Sequence, residues 1–328
     1  MQRPHTDPAA PPLRRWCANF VGGVVLVVML TGCAPPEPSP RSGLRVVALE
    51  TFLADIARSV AGGQVEVISL LPTGADPHTY EPTPTDVRRV LESDLLISNG
   101  AGYDTLIVRQ LTRTADRVPL LEAAAGIDLL APSFGVQPID GSQNSPAAQG
   151  DPHTWLDPIN VVRYAENIRD ALTRLDPAHA PQYSSNAEAY RLDLVTLDEW
   201  IRSQVEALPP ERRLLVTNHE SLGYFAARYG FTVVGTLLPG LSSSTSPSAQ
   251  QLVQLVQAIR AAHVPAVFLE TGSDTRLAEQ VAQESGVSVV TMLFTESLSP
   301  PEGPAATYLD MMRFNTRTIV AALTENGG

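Results

Sequence analysis

Short apolar runs alternate with amphipathic stretches from residue 44 onward, and this rhythm restricts the fold more than any other feature. The apolar runs have the length and composition of buried strands, whereas the amphipathic stretches have helical spacing. The predicted strands are 44–50, 64–71, 95–100, 213–218, 231–238, 265–271 and 287–294. Strands that alternate with helices form parallel sheets with helices on both faces, so we expect an α/β fold.

One long helical stretch in the middle of the chain interrupts the rhythm. Residues 158–208 have a helical pattern that divides at Asp176-Pro177, and the second part contains no glycine. Its Pro181 lies in the first turn, where proline is tolerated. We therefore expect two α/β lobes of parallel sheet joined by one long helix. The predicted divisions are an N-terminal lobe at 44–177, a connecting helix at 178–210 and a C-terminal lobe at 211–328.

Residues 1–32 have the pattern of a lipoprotein signal peptide. Arg14 and Arg15 precede an apolar run at 20–30 that is too short to span a bilayer comfortably. The Leu-Thr-Gly-Cys that follows resembles the bacterial lipobox, in which the cysteine, here Cys33, is lipidated after cleavage. Residues 33–43 would then tether the fold to the lipid. The alternative is an ordinary secretory signal with a cysteine at this place by chance.

The charge of the chain excludes two kinds of partner. The formal net charge is −12, and all 23 basic residues are arginines that form no basic run. Nucleic acid is not expected as a partner, because its binding needs clustered positive charge. No polybasic patch would hold the chain on anionic lipid, so we expect membrane contact only through the anchor at Cys33.

A pentapeptide that occurs twice is the most informative motif. Asp-Pro-His-Thr followed by an aromatic residue occurs at 76–80 and at 151–155, in a chain with only six histidines. An Asp-Pro turn can hold the next side chain at a loop tip, where binding sites concentrate. The aromatic residue could shield the imidazole from water. The hypothesis of a site at His78 and His153 competes with two polar turns that match by chance.

Three further residues are candidates because they follow predicted strands. His219 lies between a strand and a helix, where it is either a ligand or a helix cap. Glu270 and Glu296 each end a strand, and the near-even spacing along the chain favours Glu296. Three imidazoles and a carboxylate suit Zn²⁺ in a tetrahedral site, which would lie in the cleft with two ligands from each lobe. Glu270 remains the alternative ligand, and Glu220 is interpreted as supporting the site or as solvated.

The order of the motifs resembles that of the zinc- and manganese-binding solute-binding lipoproteins of bacterial ABC importers. The resemblance covers residues 44–324 and is carried by LPTGADPHTYEPTPTD, DPHTWLDP, TNHESLGYFAARYG and FLETGSDTRLAEQVAQESGV. It implies an extracytoplasmic, lipid-anchored protein of the periplasm or cell surface, with a permease and its ATPase as partners. We expect a monomer. The implied metal ligands are His78, His153, His219 and Glu296, the last at a position where the family more often has Asp.

The choice of metal and two other function classes stay open at this point. The three histidines favour Zn²⁺, with Mn²⁺ as the alternative, although residues 131–150 lack the histidines that many zinc members carry there. A zinc hydrolase would need an open metal position, and the chain has no HExxH or GxSxG motif. We therefore expect a protein that is not an enzyme. An adhesin is the remaining alternative.

Overall fold

The computed structural model describes residues 43–132 and 150–325. The predicted signal peptide, Cys33 and almost all of the tether lie outside the described residues, as does most of the segment 131–150. Among the described helices, none combines the length and the apolar character that crossing a membrane requires.

The first sheet contains four parallel strands. They are β1 (Arg45–Ala48), β2 (Glu66–Ser69), β3 (Leu95–Ser98) and β4 (Leu120–Glu122), in the order β2-β1-β3-β4. The helices that follow β1, β2 and β3 are α1 (Thr51–Ala61), α2 (Pro84–Leu91) and α3 (Thr105–Thr112). A capping box begins α2, because the Thr83 hydroxyl accepts the Asp86 N–H and the Asp86 carboxylate accepts the Thr83 N–H.

The second sheet repeats this strand order. Its parallel strands are β5 (Leu214–Thr217), β6 (Thr232–Thr236), β7 (Ala266–Glu270) and β8 (Ser288–Leu293), in the order β6-β5-β7-β8. The helices of this half are α6 (Gly223–Tyr229), α7 (Ala249–Ala262), α8 (Arg276–Ser285) and α9 (Tyr308–Glu325). Two parallel four-stranded sheets with helices confirm the predicted fold class.

Two helices in the middle of the chain connect the sheets. The first is α4 (Pro158–Leu175), and a 3₁₀ turn at Pro177–His179 leads into α5 (Ala180–Glu206). The 27 residues of α5 extend about 40 Å at about 1.5 Å per residue. The division at Asp176 is stabilised by the Tyr183 hydroxyl, which donates to the Asp176 carboxylate at 2.8 Å. The predicted long connecting helix is confirmed.

The largest apolar core spans both halves of the chain. It contains Val46 of β1, Leu197 of α5, Leu215 of β5 and Met311 of α9, all fully buried. Two smaller cores cover the outer faces of the two sheets. Both halves bury apolar surface together with α5, so this core does not mark where one lobe ends and the next begins. The lobe boundaries at 177 and 210 therefore stay a prediction.

Two elements of the first half were not predicted from the sequence. Helix α3 is short, and only Ile107 and Leu111 of it are buried. Strand β4 has three residues, two of them exposed, at the edge of its sheet. Strand β4 is too short to show a clear period in the sequence, and few positions of α3 are buried enough to mark an apolar face.

Candidate metal centre

Four polar side chains converge where loops leave the two sheets. His78 lies in the loop between β2 and α2, and His153 precedes α4. His219 follows β5 by two residues, and Glu296 follows β8 by three. One ligand atom of each residue lies within 4.8 Å of one ligand atom of every other. The carboxyl ends of parallel strands are where open α/β folds bind ligands.

Four of the separations between donor atoms bracket those of a small tetrahedral metal site. Oε1 of Glu296 lies 2.9 Å from Nε2 of His78, 3.4 Å from Nε2 of His219 and 4.0 Å from Nε2 of His153. Nε2 of His153 and Nε2 of His219 are 3.3 Å apart. A regular tetrahedron with bonds of about 2.0–2.1 Å has edges of about 3.3–3.4 Å.

Two of the donor atoms are buried without a hydrogen bond. Nε2 of His78 and Oε1 of Glu296 are close, yet their orientation is not that of a hydrogen bond, and neither has a hydrogen-bond partner among the described residues. A buried polar atom in this condition is costly unless something satisfies it. A cation that accepts both lone pairs would do so, and the donor set therefore fits a metal ion.

A carboxylate lies behind two of the imidazoles. Oδ1 of Asp151 is hydrogen-bonded to Nδ1 of His153 at 2.8 Å. Oε1 of Glu270 lies 3.2 Å from Nδ1 of His219 as an ion-pair contact, without the orientation of a hydrogen bond. A carboxylate at Nδ1 favours the proton on that nitrogen and leaves the lone pair of Nε2 for a metal. The Ser221 hydroxyl in turn donates to Oε1 of Glu270 at 2.8 Å. Glu270 thus lies behind His219 and is not among the four converging residues.

The repeated pentapeptide has the same backbone function at both places. Oδ1 of Asp76 accepts the N–H of His78 at 2.8 Å, and Oδ1 of Asp151 accepts the N–H of His153 at 2.9 Å. An aspartate that accepts the N–H two residues on forms an Asx turn. The turn explains why Asp precedes His at this spacing in both motifs.

The aromatic residues of the two pentapeptides differ in role. Trp155 is fully buried, with its ring 5.3 Å from that of His153. Tyr80 instead donates its hydroxyl to Asp86 at 2.8 Å, and the ring that packs against His78, at 5.0 Å, belongs to Tyr103. The idea that the pentapeptide aromatic shields its own imidazole is wrong for Tyr80. The only signal for Tyr103 is that it follows β3, as the ligands follow other strands.

The remaining candidates are not among the four converging residues. Glu220 is buried, so the solvated interpretation is wrong, and its N–H donates to the carbonyl of Gly240 at 3.0 Å. His179 lies beside Asp176 at the start of α5, with 2.6 Å between Nδ1 and Oδ2. His263 ends α7 in the left-handed conformation, with φ of 55°.

Burial and neighbouring charges act together on the pKa values of three of the converging side chains. Burial lowers the pKa of His153, although Asp151 acts to raise it. Burial alone would lower the pKa of His219, but Glu270 and Glu296 outweigh it and raise that pKa well above the usual value. Burial would likewise raise the pKa of Glu296, but His78 and His219 hold it well below the usual range. The low pKa of Glu296 keeps an anionic oxygen among the four donors, and this oxygen attracts a cation.

A further buried acid, Glu50, was not predicted from the sequence. It follows β1, is 1% exposed, and neither carboxylate oxygen has a hydrogen bond among the described residues. Burial, then the charge of Asp104, raise its pKa well above the usual value, and the charge of Glu296 adds to this. Glu50 is accordingly a neutral acid at pH values where Glu296 is ionised.

Residues 46–322 match the family described as zinc-uptake complex component A, periplasmic. The chain belongs to this family. The zinc-uptake component A family consists of periplasmic substrate-binding proteins of metal ABC transporters and not of enzymes, so the chain is an extracytoplasmic binding protein and the hydrolase alternative is wrong.

Curated relatives and solved structures agree with this assignment. The manganese-binding lipoprotein MntA of Halalkalibacterium halodurans is 33% identical over 316 residues, which are 95% of this chain and 100% of the relative. The manganese ABC transporter substrate-binding lipoprotein PsaA of Streptococcus pneumoniae is 30% identical, with 92% and 96% covered. The periplasmic zinc-binding protein TroA of Treponema pallidum has a TM-score of 0.75 at 28% identity, with 86% of this chain and 99% of TroA covered.

Proposed function

We propose that this protein captures a divalent transition metal, Zn²⁺ foremost, outside the cytoplasmic membrane and delivers it to the permease of an ABC importer, whose ATPase drives uptake. One observation carries the proposal: three imidazole nitrogens and one carboxylate oxygen converge within 4.8 Å. The metal is the cargo of the protein.

The proposed ligands are His78, His153, His219 and Glu296. All four side chains are at most 10% exposed, and two of the donor atoms lack hydrogen bonds. Four protein ligands would leave no open position for a catalytic water, which suits storage of an ion rather than chemistry on it. Glu270 supports His219 in this scheme.

Zn²⁺ is preferred over Mn²⁺ on the chemistry of the donors. Three nitrogens and one oxygen suit Zn²⁺, and a given site of this kind binds Zn²⁺ more tightly than Mn²⁺. Mn²⁺ is the second candidate because MntA and PsaA, the relatives above, are named for manganese. The family description and TroA are named for zinc.

We also propose that Cys33 carries the lipid that anchors the protein, as a monomer, to the outer face of the membrane. The name lipoprotein in both curated relatives supports this proposal. The Pro- and Ser-rich residues 34–43 would give the folded part enough reach to meet a permease in the same membrane.

Metal titration of the purified, chelator-stripped protein tests the proposal. We expect one equivalent of Zn²⁺ to bind and to resist competition by excess Mn²⁺. His153→Ala should abolish tight binding, whereas His179→Ala, on the exposed start of α5, should bind as the unsubstituted protein does. Tighter binding of Mn²⁺ would select the second candidate, and binding of neither ion would overturn the proposed function.

A further inference from the structure

A hydrogen bond between the two halves of the chain holds the loop of His78. The Ser243 hydroxyl, in the loop between β6 and α7, donates to Oδ2 of Asp76 at 2.5 Å. Asp76 belongs to the loop between β2 and α2, two residues before His78. The bond therefore connects a loop of the second sheet with the loop that carries His78, the first proposed ligand.

The two pentapeptide aspartates use their second oxygen differently. Asp76 accepts the His78 N–H with Oδ1 and the Ser243 hydroxyl with Oδ2. In Asp151, Oδ1 faces both the N–H and Nδ1 of His153. Oδ2 of Asp151 packs against Gly223, where the Cβ of any other residue would lie only 2.5 Å from this oxygen. The position of His153 is thus fixed by its own aspartate, whereas Asp76 is itself held from across the cleft.

The bond also lies where two cavities meet. An inner cavity of about 140 Å³ reaches Glu296 and Glu270. An outer, more open cavity of about 640 Å³ reaches Asp274 and Arg276 at the surface. The residues that line both cavities are Asp76, Asn218, Ser243, Gly272 and Ser273. Asp76 and Ser243 thus lie at the boundary between the outer cavity and the cavity that reaches Glu296.

We propose that Ser243 and Asp76 form a gate that sets the rate of metal exchange. This inference rests on the proposed function. The hydrogen bond closes the passage, and it breaks each time an ion enters or leaves. The freed Oδ2 of Asp76 then offers the passing cation an anionic oxygen, which replaces part of its hydration shell. Because the bond is closed before and after passage, it controls both rates and leaves the equilibrium affinity nearly unchanged.

Stopped-flow kinetics on the full chain test the gate with Zn²⁺ as the probe. Entry is followed by mixing metal-free protein with Zn²⁺, and exit by mixing loaded protein with a chromophoric chelator. Ser243→Ala should raise both rates about tenfold, the effect of losing one hydrogen bond to a charged group, with a dissociation constant within about threefold of the unsubstituted value. Ser244→Ala is the matched control, because this exposed neighbour bonds, within the described part of the chain, to Ser242 of its own loop.

A second variant distinguishes the proposed gate from a general loosening of the loop that carries His78. Asp76→Asn can keep the turn and a bond to Ser243 while it loses the charge, so we expect slower entry and slower exit without a change in melting temperature. Unchanged rates in Ser243→Ala, or a faster exit with unaltered entry and weaker affinity, would overturn the gate. If the unsubstituted protein bound neither Zn²⁺ nor Mn²⁺, both the proposed function and the gate would be overturned. If the unsubstituted protein bound Zn²⁺ and the exchange rates of Ser243→Ala were unaltered, only the gate would be overturned.

Discussion

Nε2 of His153 and Nε2 of His219 lie 3.3 Å apart. Each ring also has a carboxylate at Nδ1, Asp151 in one case and Glu270 in the other. The pKa of His219 is raised and that of His153 is lowered. In the metal-free protein His219 is therefore the imidazole of the pair that holds the extra proton. A metal ion that binds both nitrogens must displace this proton.

Metal binding should consequently release about one proton near pH 7, because the ligand form of His219 is neutral. Calorimetry of Zn²⁺ binding in buffers of different ionisation enthalpy measures this number. Affinity should fall as the pH falls, and the decline should begin above pH 6.5, since the pKa of His219 is raised from that value. His153 should add to the decline only at lower pH. Zn²⁺ affinity that stayed constant from about pH 7.5 to 5.5 would contradict the assignment of these ligands.

The two glutamates near His219 should respond differently to the same substitution. Glu296→Gln removes the one anionic donor of the proposed site, whereas Glu270→Gln removes only the partner of Nδ1 of His219. We expect Glu270→Gln to weaken Zn²⁺ binding about 10- to 100-fold, as loss of a supporting carboxylate does. Glu296→Gln should weaken it further. Competition titration with a chelator of known affinity ranks the variants, and a larger loss in Glu270→Gln would exchange the roles of the two residues.

Glu50 should make the stability of the protein fall as the pH rises. Its pKa is raised in the folded state above the usual value of 4.5, so the folded state binds more protons than the unfolded state above about that pH. Its contribution to stability is greatest at low pH and is lost as the pH rises through the folded-state pKa. Glu50→Gln removes the titrating group and keeps the shape of the side chain. The melting temperature of this variant, relative to that of the unsubstituted protein, should therefore rise from pH 5 to pH 8.

Glu66→Gln is a suitable control for that comparison, because Glu66 is an exposed residue of β2. Melting curves of the three proteins, recorded without metal at each pH, give the result. A difference between Glu50→Gln and the unsubstituted protein that did not change with pH would show that Glu50 is ionised in the folded state.

The sequence was most informative where chemistry and backbone geometry coincide in a few adjacent residues. The DPHT pentapeptides pointed to His78 and His153, because the aspartate that makes the turn and the histidine it presents are neighbours in the chain. His219 and Glu296 could be chosen because the ends of parallel strands meet at one edge. The fold class could be predicted from the alternation of short apolar runs with stretches of helical spacing.

Contacts between distant loops could not be predicted in this way. Nothing local to Tyr103 shows that its ring replaces Tyr80 beside His78. The bond from Ser243 to Asp76 depends on how two loops from different sheets approach each other. The sequence neighbours of Glu50 are those of an ordinary residue at the end of a strand, and only the packing of the complete fold buries its side chain. Each of these features is a tertiary contact that no spacing encodes.

The ion pairs around Arg228 bear on how far the two halves can separate. Nε of this α6 residue lies 2.6 Å from Oδ1 of Asp198 on α5 and 3.1 Å from Oδ1 of Asp157 at the start of α4. Helix α5 has no glycine at which a bend could localise. The largest core is also continuous across both halves. Wide opening would break these contacts together.

We therefore expect metal release to move loops and not whole lobes. Small-angle scattering should give radii of gyration for the metal-free and Zn²⁺-loaded protein that differ by less than about 1 Å, against about 19 Å for a compact chain of this size. Arg228→Gln leaves Asp198 and Asp157 without their shared cation, so this variant should show a larger difference if the ion pairs restrict opening. Arg191→Gln, which loses only an exposed pair with Glu188, is its control. A difference well above 1 Å in the unsubstituted protein would mean that the lobes separate as rigid bodies despite the shared core.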